Sequence, residues 1–135
     1  MKTFLDTNIL VYTMDPRDPV KQSKARALLN SGGRIFAIST QVWQEFYVTV
    51  VGKCGVAPLK AKAILQSMGW AELTVVRQEE IERAIDLQIL NQLSFWDALI
   101  ISAAVSARCS VLWSEDLTAG QVIAGVRIEN PLASV

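Results

Sequence analysis

Short apolar segments alternate with longer segments of helical periodicity along most of this chain. Segments with the length and apolar character of β-strands occupy residues 2–5, 34–38, 73–76, 111–113 and 126–130. Most of the segments between them place apolar residues at the spacing of an α-helix. This alternation predicts an α/β fold in which a central parallel β-sheet is flanked by α-helices on both faces.

Capping residues, prolines and glycines mark the ends of the predicted helices. Asp18 and Pro19 begin a helix that ends at residues 32–33, both glycine. Ser39 or Thr40 caps a second helix, which Gly52 is expected to end. Three further helices are predicted from near residue 58, over residues 79–90 and over residues 94–107.

The composition limits the classes of protein to which the chain can belong. Its 135 residues, 51% of them hydrophobic, suit a single domain over 1–135 with one core. No apolar run reaches the roughly 20 residues that span a membrane, and no secretory signal is visible, so we expect a soluble cytoplasmic protein with no membrane partner. With two cysteines far apart and no histidine, the usual zinc spacings and a disulfide framework are excluded.

The net charge of zero conceals an imbalance between the two halves of the chain. Residues 1–62 hold nine Lys/Arg and four Asp/Glu, whereas residues 63–135 hold four Lys/Arg and nine Asp/Glu. A basic half suits a phosphate backbone or an acidic partner segment. Scattered solvated charge explains the same imbalance equally well.

Four acidic residues are expected at one edge of the predicted sheet. Asp6 follows the first strand, and Asp116 follows the strand at 111–113. Glu45 and Asp97 lie early in helices that enter from the same edge. Because ligand sites of parallel sheets lie beyond the carboxyl ends of the strands, these four carboxylates are expected to meet there.

Each of these acids also has a purely structural interpretation. Asp97 completes a capping box with Ser94, Glu45 can lie on a solvated helix face, and Asp116 can serve as a turn residue. Asp6 is the hardest to explain in this way. It follows two apolar strand residues, and a buried ionised carboxylate is costly unless it is paired or bound to a metal.

A cluster of four carboxylates without a histidine calls for a cation, because like charges at close range repel one another. Oxygen ligands favour Mg²⁺ or Mn²⁺, which would activate water for attack on a phosphodiester. Asn8 and Ser114 would hold a carboxylate or a metal-bound water in place. Alternatively, Asn8 simply begins a helix and Ser114 satisfies the end of a strand.

Five segments, LDTNILVY, QVWQEFY, FWDALIISAA, LWSEDL and GVRIENP, resemble the PIN-domain ribonucleases, specifically the VapC toxins of bacterial toxin–antitoxin pairs. The similarity runs from residue 3 to about residue 131. It implies a PIN-like fold and Mg²⁺- or Mn²⁺-dependent endonucleolytic cleavage of RNA. By position, Asp6, Glu45, Asp97 and Asp116 match the acidic quartet of the family, which holds the metal and carries catalysis. Asn8 and Ser114 match its polar companions.

The resemblance also implies a homodimer and a small antitoxin protein whose tail covers the active-site groove. The helices around residues 42–51 and 58–68 are candidate contact surfaces, although their apolar faces can equally serve their own core. Lys21, Lys24 and Arg26 can lie along the rim of an RNA groove, where phosphate contacts would weaken with added salt. Ordinary surface solubility explains these three cations equally well.

Two other functional classes compete with the nuclease. A non-catalytic RNA-binding or protein-interaction module can keep the same fold. An aspartyl phosphotransfer enzyme also places acids at strand ends, but the dehalogenase pattern needs an aspartate where this chain has Asn8. A response-regulator receiver needs a lysine at a late strand end, where this chain has Ser114, Glu115 and Asp116.

Overall fold

The computed structural model describes residues 1–133, and its strands form one six-stranded sheet in the order β3-β2-β1-β4-β6-β5. Neighbouring strands are parallel except β5 and β6, which are antiparallel. The strands are β1 Lys2–Leu5, β2 Ile35–Ser39, β3 Ala71–Thr74, β4 Val111–Trp113, β5 Val122–Ile123 and β6 Val126–Glu129.

Within residues 1–133 six helices connect the strands and flank the sheet, so the predicted α/β class is confirmed. They are α1 Thr7–Tyr12, α2 Pro19–Asn30, α3 Thr40–Lys53, α4 Pro58–Gln66, α5 Gln78–Asn91 and α6 Phe95–Ser106. Helix α2 packs against α1, both α1 and α4 pack against α3, and α5 packs along α6. Both α3 and α6 lie against the sheet, and the buried apolar side chains form one contiguous cluster around it.

Side-chain caps fix where α2, α3 and α6 begin, as the sequence predicts, and Ser94 caps the last of these. Asp18 accepts a hydrogen bond from the backbone N of Lys21 at 3.1 Å. Ser39 accepts one from the backbone N of Val42 at 3.3 Å, which makes Ser39 rather than Thr40 the cap of α3. These contacts satisfy amides that the first helical turn leaves without partners.

Helix α3 runs past Gly52, the residue expected to end it, and reaches Lys53. The reversal instead lies at Gly55, whose φ of 69° is the left-handed conformation that glycine adopts without a steric penalty. Across this turn the backbone N of Val56 donates to the carbonyl of Val50 at 3.1 Å. A glycine three residues further along therefore provides the stop.

Strand β3 covers residues 71–74 rather than the expected 73–76. Its pairing with β2 ends where Ser39 leaves the strand to cap α3, and the backbone N of Val76 donates to Thr40 Oγ1 instead. Strand β5 was not expected. Its two residues pair with β6 across a turn at Ala124 and Gly125, which both have positive φ, and such two-residue turns suit the twist of a hairpin.

Helix α5 is present, but the isoleucines whose spacing predicts it face outward. Ile81, Ile85 and Ile89 are exposed, whereas Ala84 and Leu87 are buried. No single helix within residues 1–133 is long and apolar enough to cross a membrane. The adjacent helices α5 and α6 satisfy that test only when they are taken together across a 120° bend.

Candidate active site

Asp6 lies at the junction of β1, β4 and α1. Its backbone N donates to the carbonyl of Trp113 at 3.0 Å, which extends the pairing of the two strands by one residue. Its Oδ1 accepts from the backbone N of Thr7 at 2.7 Å, so the carboxylate also caps α1. The residue is 6% exposed, and the sheet therefore fixes both its position and its burial.

Ser114, the first residue after β4, connects two of the predicted acids. Its hydroxyl donates to Asp6 Oδ2 at 2.7 Å. The same oxygen accepts from the backbone N of Asp116 at 3.2 Å and from that of Leu117 at 3.3 Å. Ser114 thereby fixes the Asp6 carboxylate and the loop that carries Asp116.

Asn8 holds the same loop from the opposite side, in the first turn of α1. Its Nδ2 donates to Asp116 Oδ2 at 3.0 Å, and its Oδ1 accepts from the backbone N of Glu115 at 3.3 Å. The side-chain amide of Asn8 therefore hydrogen-bonds to two consecutive residues, Glu115 and Asp116. Because Asn8 and Asp6 are only two residues apart, α1 places Asp116 close to Asp6.

Glu45 reaches the group from α3, and each of its carboxylate oxygens accepts one hydrogen bond. Thr7 Oγ1 donates to Oε1 at 2.6 Å, and Gln41 Nε2 donates to Oε2 at 3.2 Å. The Gln41 amide also donates to the carbonyl of Trp96 at 3.1 Å, which connects α3 to the first turn of α6. Gln41 therefore holds Glu45 and touches the residue next to Asp97.

Sequence reasoning overlooked Gln41. It precedes Glu45 by four residues and so lies on the same face of α3, which is the signal that could have identified it. The side chain is buried, and within residues 1–133 its Oε1 has no hydrogen-bond partner. Buried acceptors without partners are uncommon, and they can mark a place where a water or an ion binds.

Asp97 is half-buried in the first turn of α6. Its backbone N donates to Ser94 Oγ at 3.1 Å, which forms the first half of the proposed capping box. Over the described part of the chain its carboxylate has no hydrogen-bond partner, so the second half of the box is not formed. Its connection to the other acids runs through Gln41 and Trp96.

Burial dominates the electrostatics of Asp6 and raises the pKa of its carboxyl group from 3.8 to about 6. The hydrogen bonds from Ser114 and the backbone N of Thr7 oppose this shift. The negative charges of Glu45 and Asp116 add to it, so both carboxylates lie near enough to act on Asp6. A bound cation would reverse the shift by stabilising the ionised form.

The donor set fits a water-rich Mg²⁺ or Mn²⁺ site and does not fit a closed metal cage. Among residues 1–133 no three acidic or cysteine side chains converge closely enough to hold an ion by themselves. Mg²⁺ commonly takes one or two carboxylates and completes its shell with waters and phosphate oxygens. Asp6, with Glu45 and Asp116 beside it and the free oxygen of Gln41 nearby, offers this kind of site.

An open groove of about 450 Å³ is lined by two of the four predicted acids, Glu45 and Asp116, and not by the other two. Asn8, Arg17 and Lys53 also line it. A larger cavity of about 520 Å³ is lined by apolar side chains together with Arg26 and Arg34, and by none of the four acids. The chemistry of the lining, rather than the volume, therefore identifies the candidate active site.

The three cations that the sequence suggested for an RNA rim are engaged elsewhere. Lys21 forms an ion pair with Glu115 at 2.6 Å, Lys24 donates to the carbonyl of Leu132, and Arg26 donates to that of Thr13. None of the three lines the groove beside the acids. The cations on that groove are Arg17 and Lys53, which sequence reasoning did not single out.

Comparison with known proteins identifies the family to which the chain belongs. A family model described as the PIN domain matches residues 3–122, and the chain belongs to that family. Among curated proteins, none matches the sequence.

Solved structures share the fold at low sequence identity. VapC20 of Mycobacterium tuberculosis, described as a sarcin–ricin loop cleaving toxin, is 20% identical with a TM-score of 0.72, over 84% of this chain and 89% of its own. A toxin–antitoxin complex from Klebsiella pneumoniae is 22% identical with a TM-score of 0.70, over 92% and 94%. DNA-bound VapBC from Salmonella typhimurium is 20% identical with a TM-score of 0.68, over 97% and 98%.

Proposed function

We propose that this chain is a Mg²⁺- or Mn²⁺-dependent endoribonuclease that acts as the toxin of a toxin–antitoxin pair in the cytoplasm. The observation that carries the proposal is the buried Asp6 carboxylate, with Glu45 and Asp116 close enough to raise its pKa and no histidine in the chain. A buried carboxylate with two other carboxylates close to it favours binding a hard divalent cation. Membership of the PIN-domain family supports the same reaction class.

In the proposed reaction the ion takes one or two of the carboxylates of Asp6, Glu45, Asp97 and Asp116 at a time, and waters and phosphate oxygens complete its shell. When bound, the ion would supply an activated water and neutralise charge on the phosphoryl oxygens. The residues around the acids keep the carboxylates in place. Ser114 holds Asp6, Thr7 and Gln41 hold Glu45, and Asn8 holds Asp116.

We further propose a small antitoxin protein and a second copy of this chain as partners. Toxin–antitoxin assemblies among the structures of the same fold support the antitoxin. Isoleucines exposed along α5 support self-association, because contiguous exposed apolar surface commonly marks a protein contact. RNA remains the proposed substrate.

Incubation of the purified protein with mixed cellular RNA tests the nuclease. Cleavage is expected with Mg²⁺ or Mn²⁺ and not with a chelator, and Asp6→Asn and Asp97→Asn are expected to abolish it. Asp86→Asn is the matched control, because Asp86 is an exposed acid on α5 away from the groove. Cleavage that persists in chelator, or that survives both active-site substitutions, would contradict the proposal.

Within residues 1–133 no set of carboxylates forms a closed metal cage, which is also compatible with a protein that binds RNA without cutting it. A non-catalytic RNA-binding module would retain RNA without cutting it in either metal. In that case Asp6→Asn would leave the amount of RNA retained unchanged, and the cleavage products expected of the wild-type protein would not form. The same incubation, followed by recovery of the bound RNA, distinguishes the two functions.

A further inference from the structure

One face of α3 links the candidate metal site to a cation. Glu45, Thr49 and Lys53 follow one another at intervals of four residues, so they lie along the same side of the helix. All three line the groove beside the acids. Eight residues of helix span about 12 Å, which places the Lys53 backbone well beyond the carboxylates along the same groove.

A second cation, Arg17, is fixed on the wall of this groove. Its Nε and Nη2 each donate to the Asp15 carboxylate at 2.8 Å, and its backbone N donates to Asp15 Oδ1 at 3.0 Å. Asp15 is buried, and these bonds hold its pKa down at about 2, so the pair stays ionised. Within residues 1–133 the Nη1 group of Arg17 has no partner, which leaves N–H donors for a ligand.

The two cations lie near each other. The charges of Arg17, Lys53 and Asp15 all act on the thiol of Cys54, the residue that follows Lys53. Lys53 is exposed and, over the described residues, has no ion-pair partner. The groove therefore has an acidic end at Asp116 and Glu45, and its other end holds the unpaired cation Lys53 beside the ion pair of Arg17 and Asp15.

We propose that Lys53 and Arg17 form a phosphate-binding subsite, which holds a backbone phosphate of the RNA strand beyond the linkage that is cut. The proposal rests on the proposed function, because it takes the strand to lie in this groove. A polyanionic strand is repelled by an acidic site, so a cation at a fixed distance along the groove gives the strand a position and a direction. Thr49, between the two ends, offers a hydroxyl to the same strand.

Binding of a fluorescein-labelled single-stranded RNA, measured by fluorescence anisotropy in chelator, tests this subsite without turnover. Lys53→Gln is expected to weaken binding about 5-fold at low salt and to reduce the slope of log affinity against log salt by about 0.7. Lys62→Gln is the matched control, because Lys62 is an exposed helical lysine outside the groove. It is expected to bind RNA like the wild type.

Single neutral linkages then locate the contact. In a set of oligonucleotides that each carry one methylphosphonate, one position is expected to weaken wild-type binding but not the binding of Lys53→Gln. Combining Lys53→Gln with the methylphosphonate at that position would then reduce RNA affinity no more than either change alone. Thermal unfolding of each variant confirms that the fold is kept.

Arg17→Lys keeps the positive charge but loses the several N–H donors of the guanidinium group. It is expected to weaken RNA binding less than Lys53→Gln does.

Equal losses for Lys53→Gln and Lys62→Gln would overturn the subsite, as would a methylphosphonate effect that Lys53→Gln does not remove at any position. A wild-type protein that does not bind the oligonucleotide would overturn it too. Because these measurements contain no metal, they are independent of cleavage. A protein that binds as expected but never cuts would contradict the nuclease proposal and support the subsite.

Discussion

Asp6 carries an electrostatic cost that its environment does not remove. Burial raises its pKa to about 6, even though Ser114 and the backbone N of Thr7 stabilise the charged form. A carboxyl group with a raised folded-state pKa binds protons more readily in the native than in the unfolded state. Folding stability attributable to Asp6 therefore falls as the pH rises from about 4 to about 6.

Replacement of Asp6 by Asn removes this cost, so at neutral pH and in chelator the variant is expected to be more stable by about 1–3 kcal/mol. At pH 4 native Asp6 is largely protonated and unfolded Asp6, with its ordinary pKa of 3.8, is close to half protonated, so the gain should shrink. Urea unfolding at the two pH values measures the difference. A loss of stability that is the same at both would show that hydrogen bonding, not buried charge, dominates at this position.

Gln41 is expected to act as a positioning residue for Glu45. Gln41→Met keeps the approximate volume and removes both hydrogen bonds from the amide, so kcat should fall about 10-fold while KM for RNA changes little. The concentration of Mn²⁺ needed for half-maximal activity should rise. Gln44→Met on the exposed side of α3 is the control, and a comparable loss in that variant would contradict the assignment.

For single residues of the site, the sequence indicates which residues are candidates better than it indicates which contacts they make. Asp6, Asn8 and Ser114 can be singled out because they are polar residues at the ends of buried strands. Their mutual hydrogen bonds depend on how β1 and β4 pair, and that pairing joins residues more than 100 positions apart, as in the bond from Ser114 to Asp6. Gln41 is harder to identify, because a glutamine in a helix is usually solvated.

Among the elements, the helices that carry the acids are positioned by their first turns. Ser39 begins α3, and Ser94 begins α6 after a sharp change of direction that follows α5. That change requires Gln92 to adopt a φ of 54°, which costs an ordinary residue about 1 kcal/mol. The orientation of Asp97 therefore depends on a strained position five residues earlier.

Gln92→Gly is expected to relieve this strain and to raise the free energy of unfolding by about 0.5–1 kcal/mol. Asp86→Gly, at an exposed position inside α5, should lower the free energy of unfolding by about 0.3 kcal/mol, because glycine is a somewhat poorer helix former than aspartate. Denaturant titration of both variants checks the signs. If both substitutions destabilise the protein, the left-handed conformation of Gln92 is not a source of strain.

Element boundaries were predictable where a side chain makes a cap and less so where tertiary pairing decides. Asp18, Ser39 and Ser94 give the starts of three helices, because each cap is a local interaction. The extent of β3 follows from its pairing with β2, and the hairpin of β5 and β6 turns on Ala124 and Gly125. Neither of these depends on local sequence alone, and an Ala-Gly turn is a weaker signal than Asn-Gly.

For the molecule as a whole, the alternation of strands and helices was enough to predict a mostly parallel sheet. It was not enough to predict which face of α5 is buried. The isoleucines of α5 point outward because Glu80 and Ala84 face α6 instead, where Glu80 accepts a hydrogen bond from Ser106 at 2.6 Å. The spacing of the apolar residues therefore predicted α5 correctly. The hydrogen bond between Glu80 and Ser106 determines which face of α5 packs against α6.

The exposed isoleucine face belongs to the proposed contact between two copies of the chain. Ile89 is 74% exposed, and Ile89→Lys is expected to shift the protein towards the monomer in size-exclusion chromatography with light scattering. Val20→Lys, at a residue of α2 that is 72% exposed, should leave the molecular mass unchanged. Equal effects of the two substitutions would place the contact elsewhere.

The proposed chemistry requires a metal ion at the phosphate that is cut, and sulfur substitution probes that contact directly. Once the cleavage position is mapped, an RNA with one phosphorothioate at that linkage should be cut slowly with Mg²⁺, which binds sulfur poorly, and faster when the softer Mn²⁺ replaces it. Asp6→Asn should show no such rescue. Equal slowing in both metals, or cutting of the unmodified RNA in chelator, would contradict a metal held by the Asp6 cluster.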